Sequence, residues 1–481
     1  MKSSKSLRGA LRGSPSRVLA TLVLVCSTLA PAAAGQTPAE PRREQLLNGL
    51  RVLLWSRPGD QNVLVKLRVH SGAAFDLAGK EGMTAALADL MFDQQTREYV
   101  TEELGGRLEV AVGYDAVDIT LAGKSSDFER LLELARNAVI NTQVTPEAVA
   151  RVRAARLMAL GGEAPRAAEA ADRAAAARLF GSYPYGRTTR GTPESVARIE
   201  RADLLLMRER FLTPDNTTVV IVGGFDPRGV MRTMRESFGG WRKSDRAVPA
   251  TFRLPDPPDE RTLVVEQSGD GATELRLAVR GLAFTDRDSP AAEVVAEVAR
   301  ARWLAAMPEL KERAAFARHS AYREAGLFRM GARLRTPSEA ARALEAARAV
   351  LRDLAAKEPA AAELEAAKRA YASAHATAAA QGDETAASAW LDEHTYKAPA
   401  SAARELARAA AALTPAEAQR VAARLFLHTP VATVALGDAA QLRAELARVG
   451  AVEVFGEAAA KPQPQPTPAK PQQPALQLKR P

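Results

Sequence analysis

The sequence predicts an α/β protein built from two homologous domains. Three observations predict it. The length of 481 residues exceeds one typical domain. A charged stretch from Lys243 to Glu260 carries Pro249, Pro255, Pro257 and Pro258 and reads as a linker. An order of strand-like and helix-like segments runs before that stretch and again after it, and internal duplication is the simplest account of the repetition. The expected division is a signal peptide at 1–34, a first domain at 44–242, the linker at 243–260, a second domain at 261–456 and a Pro-rich tail at 457–481.

Residues 1–34 have the pattern of a secretory signal. Lys2, Lys5, Arg8, Arg12 and Arg17 precede an apolar run from Val18 to Leu29, and Ala32-Ala33-Ala34 supplies small residues before Gly35. That run falls short of the roughly 20 residues a membrane-spanning helix needs. Cleavage after Ala34 removes Cys26, the only cysteine, so the expected mature chain has no disulfide and no thiolate ligand. Export without disulfides fits a bacterial periplasm, with no membrane span after cleavage. The formal charge of +9, less the five cations of the signal, leaves +4. Lys461, Lys470, Lys479 and Arg480, in the stretch 461–481, match all of it, so the rest of the mature chain is near neutral and gives no reason to expect nucleic-acid binding.

In the first half, Asn48-Gly49 leads into Leu50 to Leu54, and Val63 to Val69 forms an apolar strand-like run. A helix follows over Lys80-Glu-Gly-Met-Thr-Ala-Ala-Leu-Ala-Asp-Leu-Met-Phe92. After Gly105-Gly106, the alternating segments Arg107 to Asp115 and Val117 to Ala122 read as a strand pair. Ser126 to Ala138 is an amphipathic helix with Phe128, Leu131, Leu132 and Ala135 on one face. Thr145-Pro146-Glu147 opens a long helix. Tyr183-Pro-Tyr-Gly186 is a turn, Thr192-Pro193 caps a helix, and Val219 to Val222 is a buried strand closed by Gly223-Gly224. The second half repeats this: strands at Thr262–Val265 and Leu275–Val279, a helix at Pro290–Trp303, an alternating run over Ala321–Leu334, helices at Pro337–Leu354 and Ala360–Ala378, then Thr414-Pro415 to Phe426 and Pro430 to Gly437.

The first-half series, from Asn48 to Trp241, resembles the pitrilysin/insulinase family of zinc peptidases, the inverzincins. The resemblance covers residues 44–456. It implies that each half is a mainly antiparallel sheet packed with helices, the halves arranged as a clam shell. In active members the helix after the second strand carries H-x-x-E-H, two His ligands with a Glu base between them. With Gly82, Leu87 and Phe92 laid on the pattern, Ala85, Ala88 and Asp89 fall at those positions. The third ligand, a Glu on the long helix, falls at Met158 or Ala159. Methyl groups cannot ligate zinc, and one aspartate does not make a three-ligand site. The five histidines, His70, His319, His375, His394 and His428, include no two within five residues, so no local two-His motif exists. No cofactor is expected.

The family also uses an Arg and a Tyr seven residues later in its carboxy-terminal half to hold substrate and stabilise the oxyanion. Lys311 and Arg318 stand there; Lys311 lacks the bidentate fork and Arg318 is not a phenol. A shifted register pairs Arg313 with Tyr322 at a spacing of nine. The implied function is a catalytically inactive homologue, the zinc-less subunit of a heterodimer with a zinc-bearing peptidase, or else a homodimer. Its strand Arg107, Leu108, Glu109, Val110, Ala111, Val112 would hold substrate peptide in the chamber by β-augmentation. The alternative is a stand-alone envelope scaffold or peptide-binding protein, as the core proteins of respiratory complexes suggest for this fold; a working zinc endopeptidase comes last.

Overall fold

The computed structural model describes residues 40–162, 167–244, 253–267, 273–379, 382–398 and 402–456. The signal segment, the tail and residues 245–252 of the linker lie outside the described residues.

The strand-like run read in Val63–Val69 lies near the middle of the first half's sheet. Its strands are β1 (Arg42–Gln45), β2 (Arg51–Ser56), β3 (Asn62–Val69), β4 (Arg107–Val112), β5 (Val117–Lys124) and β6 (Thr217–Gly223), in the sheet order β1-β2-β6-β3-β5-β4. Only β2 and β6 run parallel; the other neighbours are antiparallel. Side chains alternate across a strand, so Val63, Val65, Leu67 and Val69 enter the core beneath the sheet while Leu64, Lys66 and Arg68 face the other way. That core is closed by the helices Met83–Met91, Phe128–Ile140 and Pro227–Phe238.

The second half repeats the plan. Its strands are β7 (Thr262–Glu266), β8 (Thr273–Gly281), β9 (Phe316–Ser320), β10 (Gly326–Leu334), β11 (Ala432–Gly437) and β12 (Val452–Val454), ordered β12-β7-β11-β8-β10-β9. Five strands match five, with the parallel pair β7/β11 standing where β2/β6 stands in the first sheet. The sixth differs: β1 joins β2 antiparallel from the amino-terminal side, whereas β12 joins β7 parallel from the carboxy-terminal side. Both sheets are therefore mixed, with antiparallel pairs in the majority. Ala321–Leu334, expected as one run, is a turn followed by β10. Main-chain donors in that turn are taken by the first half: Arg323 N–H donates to Asp115 (2.9 Å) and Glu324 N–H to the Tyr185 hydroxyl (3.3 Å).

Each half also lends a helix to the other. Ala167–Phe180, from the first half, lies on β8 and β11. Asp383–Tyr396, from the second, lies on β3 and β6. The first exchange is largely apolar: Ala175, Leu179, Phe180, Tyr183 and Tyr185 pack with Leu263, Ala278, Leu327 and Val434. Leu179 and Phe180 are 1% and 0% exposed, each contributing about 1.5–3 kcal/mol through burial. The second exchange is largely ionic. Ala387 and Leu391 fill a small apolar patch with Leu53, Leu64, Val220 and Val222. Around it Asp383 pairs with Arg57, Glu384 with Lys66 and Arg107, Asp392 with Arg68, and Glu393 with Arg43.

Candidate functional site

The helix Met83–Met91 is positioned by its first turn. Gly82 caps it with φ +93°, and a Cβ there would lie 2.8 Å from the Arg190 carbonyl oxygen. The buried Asp76 carboxylate accepts from Gly82 N–H (2.7 Å), Thr84 N–H (2.9 Å) and the Thr84 hydroxyl (2.6 Å), satisfying donors that a helix start leaves open. Burial pushes Asp76 up to about 6 although these donors favour its charged form. Met83, Ala86, Leu87 and Met91 face the core. Ala85 and Ala88, 6% and 4% exposed, are buried as well, and they offer no lone pair.

Asp89 is half-exposed, and its carboxylate is engaged by the Arg156 guanidinium from the long helix Pro146–Gly162. Arg156 also donates to the Arg190 carbonyl (3.4 Å). Met158 points to solvent at 78% exposure. The residues at the four motif positions thus present one carboxylate, already neutralised by a fixed guanidinium. Zinc needs three protein ligands with free lone pairs, so these residues do not fit the ion. Among the described residues no group of three or more His, Cys, Asp or Glu side chains could hold a metal.

The oxyanion positions are separated as well. Lys311 is exposed in a short 3-10 turn, Pro308–Glu312. Arg318 is exposed on β9, its guanidinium 5.5 Å from the Phe316 ring centre. Of the alternative pair, Arg313 is tied to Glu339 (2.9 Å), whereas Tyr322 lies among Tyr114 and Tyr185 of the first half.

Arg107–Val112 forms β4, the outer strand of the first sheet, pairing with β5 alone among the described residues. Arg107 is drawn out of it toward Glu384 on the exchanged helix. Beside the start of β4 lies a recess of about 680 Å³, lined by Asn62, Gly105, Gly106, Lys124, Asp383 and Glu384 among others. Deeper under the exchanged helix, Arg68 holds Asp118 through two bonds (2.5 and 2.8 Å) and Asp392 through a third (2.5 Å). His70 Nδ1 meets the Thr395 hydroxyl and Nε2 the Thr218 hydroxyl, both at 2.9 Å. Burial, with Arg68 nearby, holds His70 well below the usual imidazole range. Arg156, Asp76 and this network were not legible in the sequence, because every partner lies far away along the chain or, for Asp76, in an irregular loop.

Residues 198–371 match the family model described as the Peptidase M16 inactive domain. Over that stretch the chain is similar to the inactive domain of M16 peptidases. An uncharacterized zinc protease of Mycobacterium tuberculosis is 30% identical to it over 207 residues, a stretch covering 41% of this chain and 47% of that protein. The chain therefore matches about half the length of that relative. A protease from Helicobacter pylori superposes with a TM-score of 0.73 at 17% identity, covering 83% of this chain and all of that one. The peptidase M16 inactive domain from Pseudomonas fluorescens gives 0.71 at 16%, covering 83% and 98%. At such identities these two structures establish the shared fold. Among the described residues no helix is long and apolar enough to cross a membrane.

Proposed function

We propose that this M16 homologue is the non-catalytic subunit of an exported, periplasmic peptidase, paired with a zinc-bearing homologue and holding peptide along the free edge of β4 and its neighbouring recess. The observation that supports it most is that the positions where the family places its metal ligands hold two buried alanines, Ala85 and Ala88, and an aspartate, Asp89, engaged by Arg156. A site so filled has lost its chemistry while the surrounding fold persists. Each sheet's second face already carries a helix from the other half, so a second chain is the natural wall of a chamber.

Purified with its natural neighbours, the protein is expected to form a one-to-one complex with a histidine-bearing homologue in the periplasmic fraction. That complex should cleave generic peptides in a chelator-sensitive way, and the chain alone should not. Chelator-sensitive cleavage by the isolated chain would overturn the reading. A stable homodimer with no partner would favour a stand-alone scaffold.

A further inference from the structure

The two sheets have their basic faces covered unequally. In the first half, Arg57, Lys66, Arg68 and Arg107 meet Asp383, Glu384 and Asp392 of the helix lent by the second half. In the second half, the helix Ala167–Phe180 lies on β8 and β11 and brings Asp172 to Arg276 of β8 (2.5 Å) and Arg329 of β10 (3.2 Å). The outer strand β9 pairs with β10 alone among the described residues, as β4 pairs with β5.

The strand register gathers three arginines on this face. Arg318 of β9 stands directly opposite Arg329 of β10, and Phe316 stands opposite Gly331, whose other cross-strand neighbour is Arg276. The guanidinium carbons of Arg276, Arg318 and Arg329 lie 5.2, 5.5 and 5.5 Å from the centre of the Phe316 ring. Gly331 makes room for this: a Cβ there would lie 2.5 Å from Arg276 Cδ and 2.8 Å from the Phe316 ring. Like charges directly opposite each other in a sheet are destabilising, so the fold gains nothing from pairing Arg318 with Arg329. The acids on this face are Asp172 and Glu274, the latter 2.9 Å from Arg276. Among the described residues Arg318 has no acid at ion-pair distance, and the buried Arg329 Nε meets no acceptor. Burial holds Arg329 below the ordinary guanidinium range, with Asp172 opposing the shift and Arg276 and Arg318 adding to it.

A carboxylate between Arg318 and Arg329 would relieve their repulsion and supply the missing acceptor, because a guanidinium fork bonds a carboxylate through two parallel hydrogen bonds. An extended peptide added at the β9 edge would set every second side chain over this face. Resting on the reading that this chain holds peptide, we propose that Arg318 and Arg329, around Phe316, form a subsite for an acidic side chain, glutamate or aspartate, of such a peptide.

The test uses the full chain and the fluorescence anisotropy of a labelled, extended peptide with a central glutamate, compared with the same peptide carrying glutamine there. The glutamate peptide should bind at least about tenfold tighter, the scale of one charge-assisted pair, and the preference should shrink as potassium chloride is raised. Arg318→Gln and Arg329→Gln should each abolish the preference while leaving the affinity for the glutamine peptide unchanged, and Arg130→Gln, on a helix of the first half, should keep it. Since Arg318 is exposed, Arg318→Gln should fold even if Arg329→Gln does not. Equal binding of the two peptides by the unaltered chain overturns the subsite and leaves the peptide-holding reading intact, whereas binding of neither overturns both. A glutamate preference that survives Arg318→Gln overturns the subsite too.

Discussion

Replacing Arg68 by Met should loosen the exchanged helix Asp383–Tyr396 from the first sheet. The Arg68 side chain is 8% exposed and compensates two carboxylates at once, Asp118 at 21% and Asp392 at 33% exposure. Burial already raises Asp392 above the ordinary range, and Arg68 is the main group opposing that. Methionine keeps much of the stem's packing but leaves both acids without their shared cation. Removing one partner of a buried ion pair costs about 3–5 kcal/mol, and the partial exposure of the acids places this case near the lower end, about 3 kcal/mol. At about 1.4 kcal/mol per tenfold change, opening of the helix should become roughly a hundred times more frequent. Hydrogen exchange read by mass spectrometry on peptides covering 383–396 measures this directly, with peptides from the Phe128–Ile140 helix as the unaffected reference. A triple variant, Arg68→Met/Asp118→Asn/Asp392→Asn, should regain most of the protection, because no charge is left unpaired. Unchanged exchange in Arg68→Met would refute the reasoning, as would a triple variant no better than the single one.

Three further outcomes follow from the same structure. Burial depresses His319 and His394 to about 4 and holds His70 lower than usual, whereas the unfolded chain titrates near 6.5. Between those values the unfolded state binds more protons, so these groups' contribution is complete above about pH 6.5 and is lost as pH falls toward 4; urea midpoints at pH 4.5, 5.5 and 6.5 should rise in that order, less steeply in His319→Gln. Gly82→Ala should cost about 1–3 kcal/mol, because φ +93° disfavours a side chain and the Arg190 carbonyl occupies its space; an unaltered urea midpoint would argue against that cap. Asp89→Ala breaks an ion pair whose acid is 43% exposed, so the unfolding free energy from urea titration should fall by less than about 1 kcal/mol.

Much of the fold was legible because it rests on local rules. The apolar run Val63–Val69 is a strand as expected, and the Thr-Pro starts at 145, 192 and 414 open helices where expected, with reciprocal capping bonds at Thr192 and Thr414. The duplicated order of elements reappears as five matching strands. Periodicity reports that a face is covered, but not by what. Lys66 and Arg68 read as ordinary polar positions of a half-buried strand, and nothing near them announces acids about 320 residues away. The Ala-rich segment Ala167–Phe180 carries too weak an apolar stripe to announce a helix crossing to the other half. The partner of Asp89 was not legible, since Arg156 sits on a helix 67 residues further on.

The exchange of helices also sets a schedule for synthesis. The last strand of the first sheet ends at Gly223 and its covering helix begins at Asp383, 160 residues later. Until those 160 residues have followed it, in synthesis or in export, the first sheet has that face uncovered. That face sets Lys66, Arg68, His70 and Thr120 around a small apolar patch, so it recruits neighbours less readily in that interval than a wholly apolar face would. The other exchange runs the opposite way: Leu179 and Phe180 are made before the strands that bury them, and a nascent chain carrying them is the stage at which this protein most needs protection from its own surfaces.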